Sequence, residues 1–341
     1  MEEELEKLEL YQEFLEEQEE VGASRQRDLQ EIKERVNKNQ EKIIRKSKWR
    51  ARFVNACITL ALLCILPIIF QVVTFGYYRS GNPSKQVIYT NAIYAAVETT
   101  RPNSEVHSST YKEGIFFSGE MGVKYLKKVG KESIDTGELR LKFLFNNPSV
   151  VLDNPANPSG VNNQFFVFGP VMYNDSTMWN TLEKLPEGTV TEVYITFNKL
   201  YETDAVFDLF RNKDLNLLWL AVDTGTAEKG PNGVLGFSNS DRLSPIRENW
   251  LQRKNVGPNY DGKIRNEHFI DTLKFLNEYK AITNAVAPGA DIQGALDYVN
   301  KNGVKIMGVT VTGPTKEILK LREGDFVGRI SVGESRLWNW D

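Results

Sequence analysis

The chain has only two cysteines and two histidines in 341 residues. Cys57 and Cys64 both fall inside one apolar stretch, seven residues apart on one helix face, where they read as small packing residues. No disulfide framework therefore holds the rest of the chain. A region of about 260 residues can bury a core without such staples, and the lack of them fits a bacterial surface protein. His107 and His268 are far apart in sequence and have no cysteine beside them. No metal-ligand spacing results, and neither a metal nor a cofactor is expected. The P-loop and the G-x-G-x-x-G run are missing, and so is the G-x-S-x-G elbow. The expectation is a protein that is not an enzyme.

Charge is also missing where it decides most. Residues 53–78, FVNACITLALLCILPIIFQVVTFGYY, contain no Asp, Glu, Lys or Arg. About 20 helical residues cross a bilayer's hydrocarbon core, so this run is long enough to span. A buried core helix of this length without a polar face is rare. A signal peptide has an apolar run of about 7–15 residues near the N-terminus, unlike this one. Pro67 inside the run is tolerated when neighbours satisfy the freed carbonyl. Lys42, Arg45, Lys46, Lys48, Arg50 and Arg52 crowd the preceding flank, against Arg79 and Lys85 on the other. Basic flanks stay in the cytoplasm, which predicts a single-pass cell-membrane protein with its N-terminus inside. Trp49, Phe53, Phe75, Tyr77 and Tyr78 suit the two interfaces.

The net charge of −3 hides a polar arm. Residues 1–20 hold ten acids against one base, and residues 21–52 eleven bases against four acids. The basic half suits anionic lipid headgroups. Residues 3–20 read as an amphipathic helix with Leu5, Leu8, Tyr11, Phe14 and Leu15 on one side. Gly22-Ala23-Ser24 predicts a break, with Ser24 capping a second helix. That second helix carries a stripe of Leu29, Ile32, Val36 and Ile43. Two such helices bury no core of their own. The stripes call for a partner, a membrane surface or self-association, and they cover few heptads for a coiled coil.

Beyond the span an α+β region is expected. Residues 79–85 read as a linker and 87–97 as a short helix. Residues 114–117 and 139–145 look like strands around a polar turn at 130–137. The Pro/Asn/Gly-rich run at 154–163 is a candidate boundary, dividing a β-rich segment, 79–155, from an α/β-patterned domain, 160–341. In that domain 191–197 alternates as a strand, 202–211 suits a helix, and 215–222 is apolar but for Asn216, as in a strand buried on both faces. Helices are predicted at 267–282, 291–302 and 314–322, and strands at 304–311 and 326–332. Strand–helix–strand thus occurs twice, implying a sheet with helices packed on it.

Asp135-Thr136-Gly137 and Asp223-Thr224-Gly225 match the tripeptide that aspartic proteases place at strand ends. The flanking sequences differ, and the same tripeptide is an ordinary strand-ending turn. Phe165, Phe166, Phe168, Tyr173 and Trp179 fit either a polymer-binding groove or, more simply, a core.

Two segments carry a family likeness: WNTLEKLPEGTV (179–190) leading into VYITF (193–197), and GVTVTGPTKE (308–317). Both resemble the C-terminal region of the sigma factor regulator family, membrane-bound regulators of extracytoplasmic-function sigma factors in Gram-positive bacteria. The basic flank, the span and the segment after it resemble that family's N-terminal region. The likeness runs from about residue 40 to about 330. It implies an anti-sigma factor whose cytoplasmic arm, 1–52, sequesters a sigma factor while the outer region responds to envelope stress. Leu5, Leu8, Tyr11, Phe14, Leu15, Leu29, Ile32 and Val36 are then the candidate contacts, on the first helix or the second. The membrane and a second small membrane protein are the other expected partners; nucleic acid is not. The competing expectation is an envelope adaptor whose outer region binds cell-wall polymer or another membrane protein.

Overall fold

The computed structural model describes residues 2–155, Phe166, 176–227, 233–240, 242–243, Ile246, 254–255, Gly257 and 261–338. The chain divides into two units, Met1–Ile69 and Phe70–Asp341.

Helix α1 runs from Glu2 to Arg79 without interruption. The predicted break at Gly22 does not occur, and Ser24 caps nothing. Its hydroxyl donates to the Val21 carbonyl within the same helix, at 3.0 Å. One exposed glycine costs a helix only about 1 kcal/mol relative to alanine, and the Glu, Gln, Arg and Leu around it are strong helix formers. Residues of the apolar stretch such as Ile58, Leu62 and Ile65 are exposed. The helix is long and apolar enough to cross a membrane.

In the second unit, Ser84 caps helix α2 (Lys85–Thr100). Four strands follow as an antiparallel meander: β1 (Glu105–Glu113), β2 (Ser118–Val129), β3 (Glu132–Leu144) and β4 (Asn147–Pro155). Residues 114–117, expected as a strand, form the β1–β2 turn instead. The polar turn expected over 130–137 shrinks to Gly130-Lys131, and the rest belongs to β3. Asp135-Thr136-Gly137 makes a bulge there, opposite Tyr125 and Leu126. The extra residue, Thr136, donates its hydroxyl to the Tyr125 carbonyl at 3.0 Å.

The remaining elements build a second antiparallel sheet. Helix α3 (Ser176–Glu183) precedes strand β5 (Thr189–Tyr201), helix α4 (Thr203–Phe210) and strand β6 (Asn216–Val222). Strand β7 (Leu235–Ser238) adds to the edge, and β8 (Arg242–Leu243) pairs with β9 (Lys254–Asn255) apart from it. Helices α5 (Gly262–Glu278), α6 (Lys280–Val286) and α7 (Ile292–Asn302) lead to strand β10 (Ile306–Pro314). Helix α8 (Thr315–Leu319), a 3-10 turn and strand β11 (Val327–Leu337) close the chain. The strand order is β11-β5-β10-β6-β7. Both expected strand–helix–strand units are present, but each is split. β10 lies between β5 and β6, and β5 lies between β10 and β11, so the two units interlock as in split β-α-β folds.

Alternation along the strands sorts the core. Val193, Ile195 and Phe197 of β5 join Val309 and Val311 of β10 and the buried side of α4, Val206, Phe207 and Phe210. Tyr194, Trp219 and Met307 form a smaller cluster with Phe166. The larger cluster continues through Ala92 and Ile93 of α2 into Val123, Leu139 and Phe143 of the meander. At the end of α2, buried Arg101 forks onto Asp153 at 2.8 and 3.0 Å and donates to Tyr125 Oη at 2.8 Å. Burial works against its charge, yet Asp153 and Tyr125 hold its pKa above the usual value. Of the run at 154–163, residues from Ala156 onward lie outside the described residues.

Candidate functional site

Two features of α1 stand out, one in each unit. In the first unit, Leu8, Tyr11, Phe14, Leu15, Leu29, Ile32 and Val36 are all exposed, at 48–67%. Leu5 lies on the same helix. Because the helix is unbroken, the two stripes expected on separate helices belong to one surface. Leu8, Leu15, Leu29, Val36 and Ile43 recur at multiples of seven, with Gly22 in the empty place. An ideal helix drifts by about 20° per heptad, so this face winds slowly around the rod. Four of the six positions at Tyr11 plus multiples of seven are polar: Gln18, Arg25, Asn39 and Lys46. A two-stranded seam wants apolar residues there too. Exposed Glu13, Glu16, Glu17, Glu19 and Glu20 flank the first half of the stripe.

In the second unit, the last turns of α1 are clasped by two hairpin turns. Thr74 accepts the Phe117 N–H at 2.9 Å while donating to the Phe70 carbonyl at 2.7 Å. Buried Tyr78 donates to the carbonyls of Phe117 and Phe145 at 3.0 and 3.2 Å. Tyr77 and Tyr89 both donate to Asn146 Oδ1, and Arg79 Nε pairs with Glu113 at 2.6 Å. The Phe116 ring lies 4.4 Å from that of Phe70, and Phe117 stacks on Phe145 at 4.7 Å. Phe116, Phe117 and Phe145 have φ of 54°, 57° and 55°. Hairpin turns normally place Asn or Gly in such left-handed positions, and a bulky side chain there costs roughly 1–2 kcal/mol. Three aromatics in that state mark a place where the surroundings over-determine the backbone. The Tyr111 hydroxyl, beside Tyr78, is buried and has no partner among the described residues. Burial, then the charge of Glu113, pushes its pKa up to about 12.

The clasp's sheet is locked to the five-stranded sheet by buried charge. Lys127 Nζ sits 3.0 Å from both Glu192 Oε2 and Glu334 Oε2. Glu192 Oε1 accepts from Asn103 at 2.6 Å, and Oε2 accepts the Glu334 N–H at 3.2 Å. Burial raises the Glu334 carboxyl, but hydrogen bonds and charge from Lys127 and Arg336 outweigh it and hold the pKa below the usual value. Tyr194, under this network, is pushed well above its ordinary range by burial and then by Glu192.

The other candidates are not brought together. Asp135 is exposed in β3, whereas Asp223 ends β6 and accepts the Gly225 N–H at 3.2 Å and the Tyr298 hydroxyl at 2.8 Å. Each tripeptide is a local backbone device, and the two carboxylates share no site. His107 is the exposed residue of a bulge in β1. Among the described residues no group of three or more His, Cys, Asp or Glu is arranged to hold a metal ion. Phe166 packs on Trp219 and Tyr194, and Trp179 is buried, as core residues. Phe165, Phe168 and Tyr173 lie outside the described residues. The clasp was missed by pattern reading; its signal was the density of aromatics at 116–117, 145 and 77–78.

The described residues thus comprise one helix long and apolar enough to cross a membrane, followed by two larger antiparallel sheets. The chain matches the sigma factor regulator N-terminal family over residues 41–134 and the sigma factor regulator C-terminal family over residues 182–334. It belongs to the sigma factor regulator family. A curated relative is the probable anti-sigma-M factor YhdL of Bacillus subtilis (strain 168), 30% identical over 356 residues. That alignment covers 99% of this chain and 93% of the relative. No solved structure matches significantly. All eight candidate contact residues precede residue 41, outside the two family matches.

Proposed function

We propose that the protein is a membrane-anchored anti-sigma factor that sequesters an extracytoplasmic-function sigma factor and responds to an envelope signal. The observation that supports this reading is the arm: an unbroken helix whose apolar stripe is exposed from Leu8 to Val36, in a member of a sigma regulator family. Sigma factors present basic surfaces to promoter DNA and apolar grooves to polymerase. The acidic, leucine-bearing first half of α1 offers a match to both, with apolar side chains as groove anchors. The basic half sits against anionic lipid, and residues 53–78 span the bilayer with the N-terminus inside. Residues from 79 onward form the outer sensor, in two parts, 79–155 and 160–341, and a second small membrane protein joins the complex.

Two measurements test this. A reporter active only outside the cell should work when fused after Asp341 and stay silent when fused after Arg50 of a truncated chain; the reverse result sinks the topology. Deleting the protein should derepress one sigma regulon. An unchanged transcriptome would refute sequestration and leave an envelope adaptor.

A further inference from the structure

We infer that the two hairpin turns of the clasp, carrying Ile115, Phe116, Leu144 and Phe145, dock into the outer interface of the bilayer that α1 crosses. The inference rests on the proposal that α1 spans the membrane. These four side chains are 45–54% exposed, and so is Phe75 at 46%. They form an exposed apolar rim at the turn end of the meander. What covers the rim follows from its level along the helix. The apolar stretch has 26 residues (53–78), whereas about 20 suffice to cross the hydrocarbon. Counting from Phe53, the crossing ends near Val72. Phe116 packs on Phe70, within the last turn of that crossing. Phe117 binds Thr74 and Tyr78 above it. A Cβ on Gly119 of β2 would touch the Tyr78 ring, and Glu113, paired across from Gly119, bonds Arg79, higher still. Going from Phe116 to Gly119, the contacts on the helix therefore move from Phe70 to Tyr78, toward the end of α1. The hairpin tip points toward the bilayer and its strands lead away. Within the surplus of the apolar stretch, Thr74 and Tyr78 are buried in the clasp, while Val73 and Phe75 stay exposed beside the rim.

The chemistry of the rim agrees. Aromatic side chains collect where hydrocarbon meets headgroups. Arg79 lies 4.7 Å over Phe75 and Lys85 lies 3.4 Å over Tyr77, placing cations at headgroup height beside aromatic faces. Lipid also accounts for residue types that the turns themselves disfavour. Phenylalanine at left-handed positions is retained where its side chain has an apolar solvent.

The test uses the full chain with Cys57→Ser and Cys64→Ser, reconstituted in vesicles of phosphatidylcholine and phosphatidylglycerol. Single cysteines at Ile115, Leu144, Lys124 and Ile65 carry a nitroxide. Lys124, exposed further along β2, serves as the aqueous reference, and Ile65 as the mid-span reference. Labels at Ile115 and Leu144 should relax faster with oxygen than with an aqueous nickel chelate, the reverse of the ratio at Lys124. Equal accessibility to the chelate at Ile115, Leu144 and Lys124, with Ile65 in hydrocarbon, overturns the dock and leaves the span standing. Labels at the tips shielded from both reagents also overturn it, because a second copy of the chain then covers the rim. An aqueous Ile65 label overturns the span and the dock together.

Discussion

Replacing Lys127 with methionine should loosen the joint between the two sheets. Lys127 is 8% exposed and Glu192 1%, so the pair is out of reach of bulk water. The substitution keeps most of the side-chain volume and removes only the ammonium. Glu334, at 22% exposure, can turn toward solvent with Arg336, its partner at 2.8 Å. Glu192 cannot turn away. It is left with the Asn103 amide, the Glu334 N–H and Tyr194, which bring hydrogen bonds but no charge. Stranding one member of a buried ion pair costs about 3–5 kcal/mol. For a unit of this size each kcal/mol moves Tm by roughly 2–4 °C, so a fall of about 6–20 °C is expected in thermal unfolding of the purified protein.

A second substitution separates this account from poor packing by methionine. Lys127→Met combined with Glu192→Gln should recover much of the loss, since no carboxylate then remains buried. The recovered part is the coupling energy of the double-mutant cycle. The pH dependence has a definite sign. Glu334 is depressed in the folded state, so its contribution is complete above the unfolded glutamate value, about 4.3, and is lost as pH falls through the lower folded value. The gap between wild type and Lys127→Met should therefore narrow in acid. A Tm within 2–4 °C of wild type, that is about 1 kcal/mol, would refute the reasoning, as would a double variant no more stable than Lys127→Met alone.

Three further changes have definite directions. Tyr111→Phe should be neutral or stabilising by up to about 1–3 kcal/mol, because it removes a buried hydroxyl without a partner; a clear loss in denaturant midpoint would mean that the hydroxyl is bonded in solution. Gly130→Ala should destabilise by about 1–2 kcal/mol from backbone strain alone, since φ is +65° and the new methyl would meet Val190 at 3.0 Å; an unchanged midpoint would contradict it. Leu8→Ala with Phe14→Ala should release the sigma factor in a pull-down even at low salt, each buried anchor contributing roughly 1.5–3 kcal/mol. Neutralising Glu16, Glu17, Glu19 and Glu20 should act mainly on the association rate. Full repression after deletion of residues 2–20 would move the contact to Leu29, Ile32 and Val36.

The elements of the second sheet were legible because their periods are strong. TEVYITF alternates, LNLLWLAV is apolar but for Asn216, and Gly303 marks the end of α7, so boundaries fell within a few residues. Which strands become neighbours was not legible, because periodicity says nothing of pairing across more than 100 residues. The β1–β2 turn was misread for a specific reason. Gly-Ile-Phe-Phe has strand composition, and only the clasp around α1 holds those phenylalanines in left-handed backbone. Strand β4 was missed because Pro148, Pro155, Asn147 and Asn154 argue against a strand, yet an edge strand accommodates proline. On the arm, the residues read as an apolar stripe are exposed on one unbroken helix, so local breaker rules overstated one glycine and split one surface into two.

If the outer unit controls the arm, its control must pass through α1, and a conformational shift needs an element with two states whose balance a signal can tip. Inverting a 99:1 population takes about 5.5 kcal/mol of differential binding. The five-stranded core is a poor place to find it, since its interlocked β-α-β units share one continuous cluster of buried side chains. The clasp is different. Its three left-handed phenylalanines together store roughly 3–6 kcal/mol. The Thr74, Tyr77 and Tyr78 hydrogen bonds that offset this contribute about 1 kcal/mol each. Opening the clasp thus trades bonds to α1 and the burial of Tyr78 for relief of strain. A signal that binds the hairpin turns in only one of these states would need no other lever on the helix.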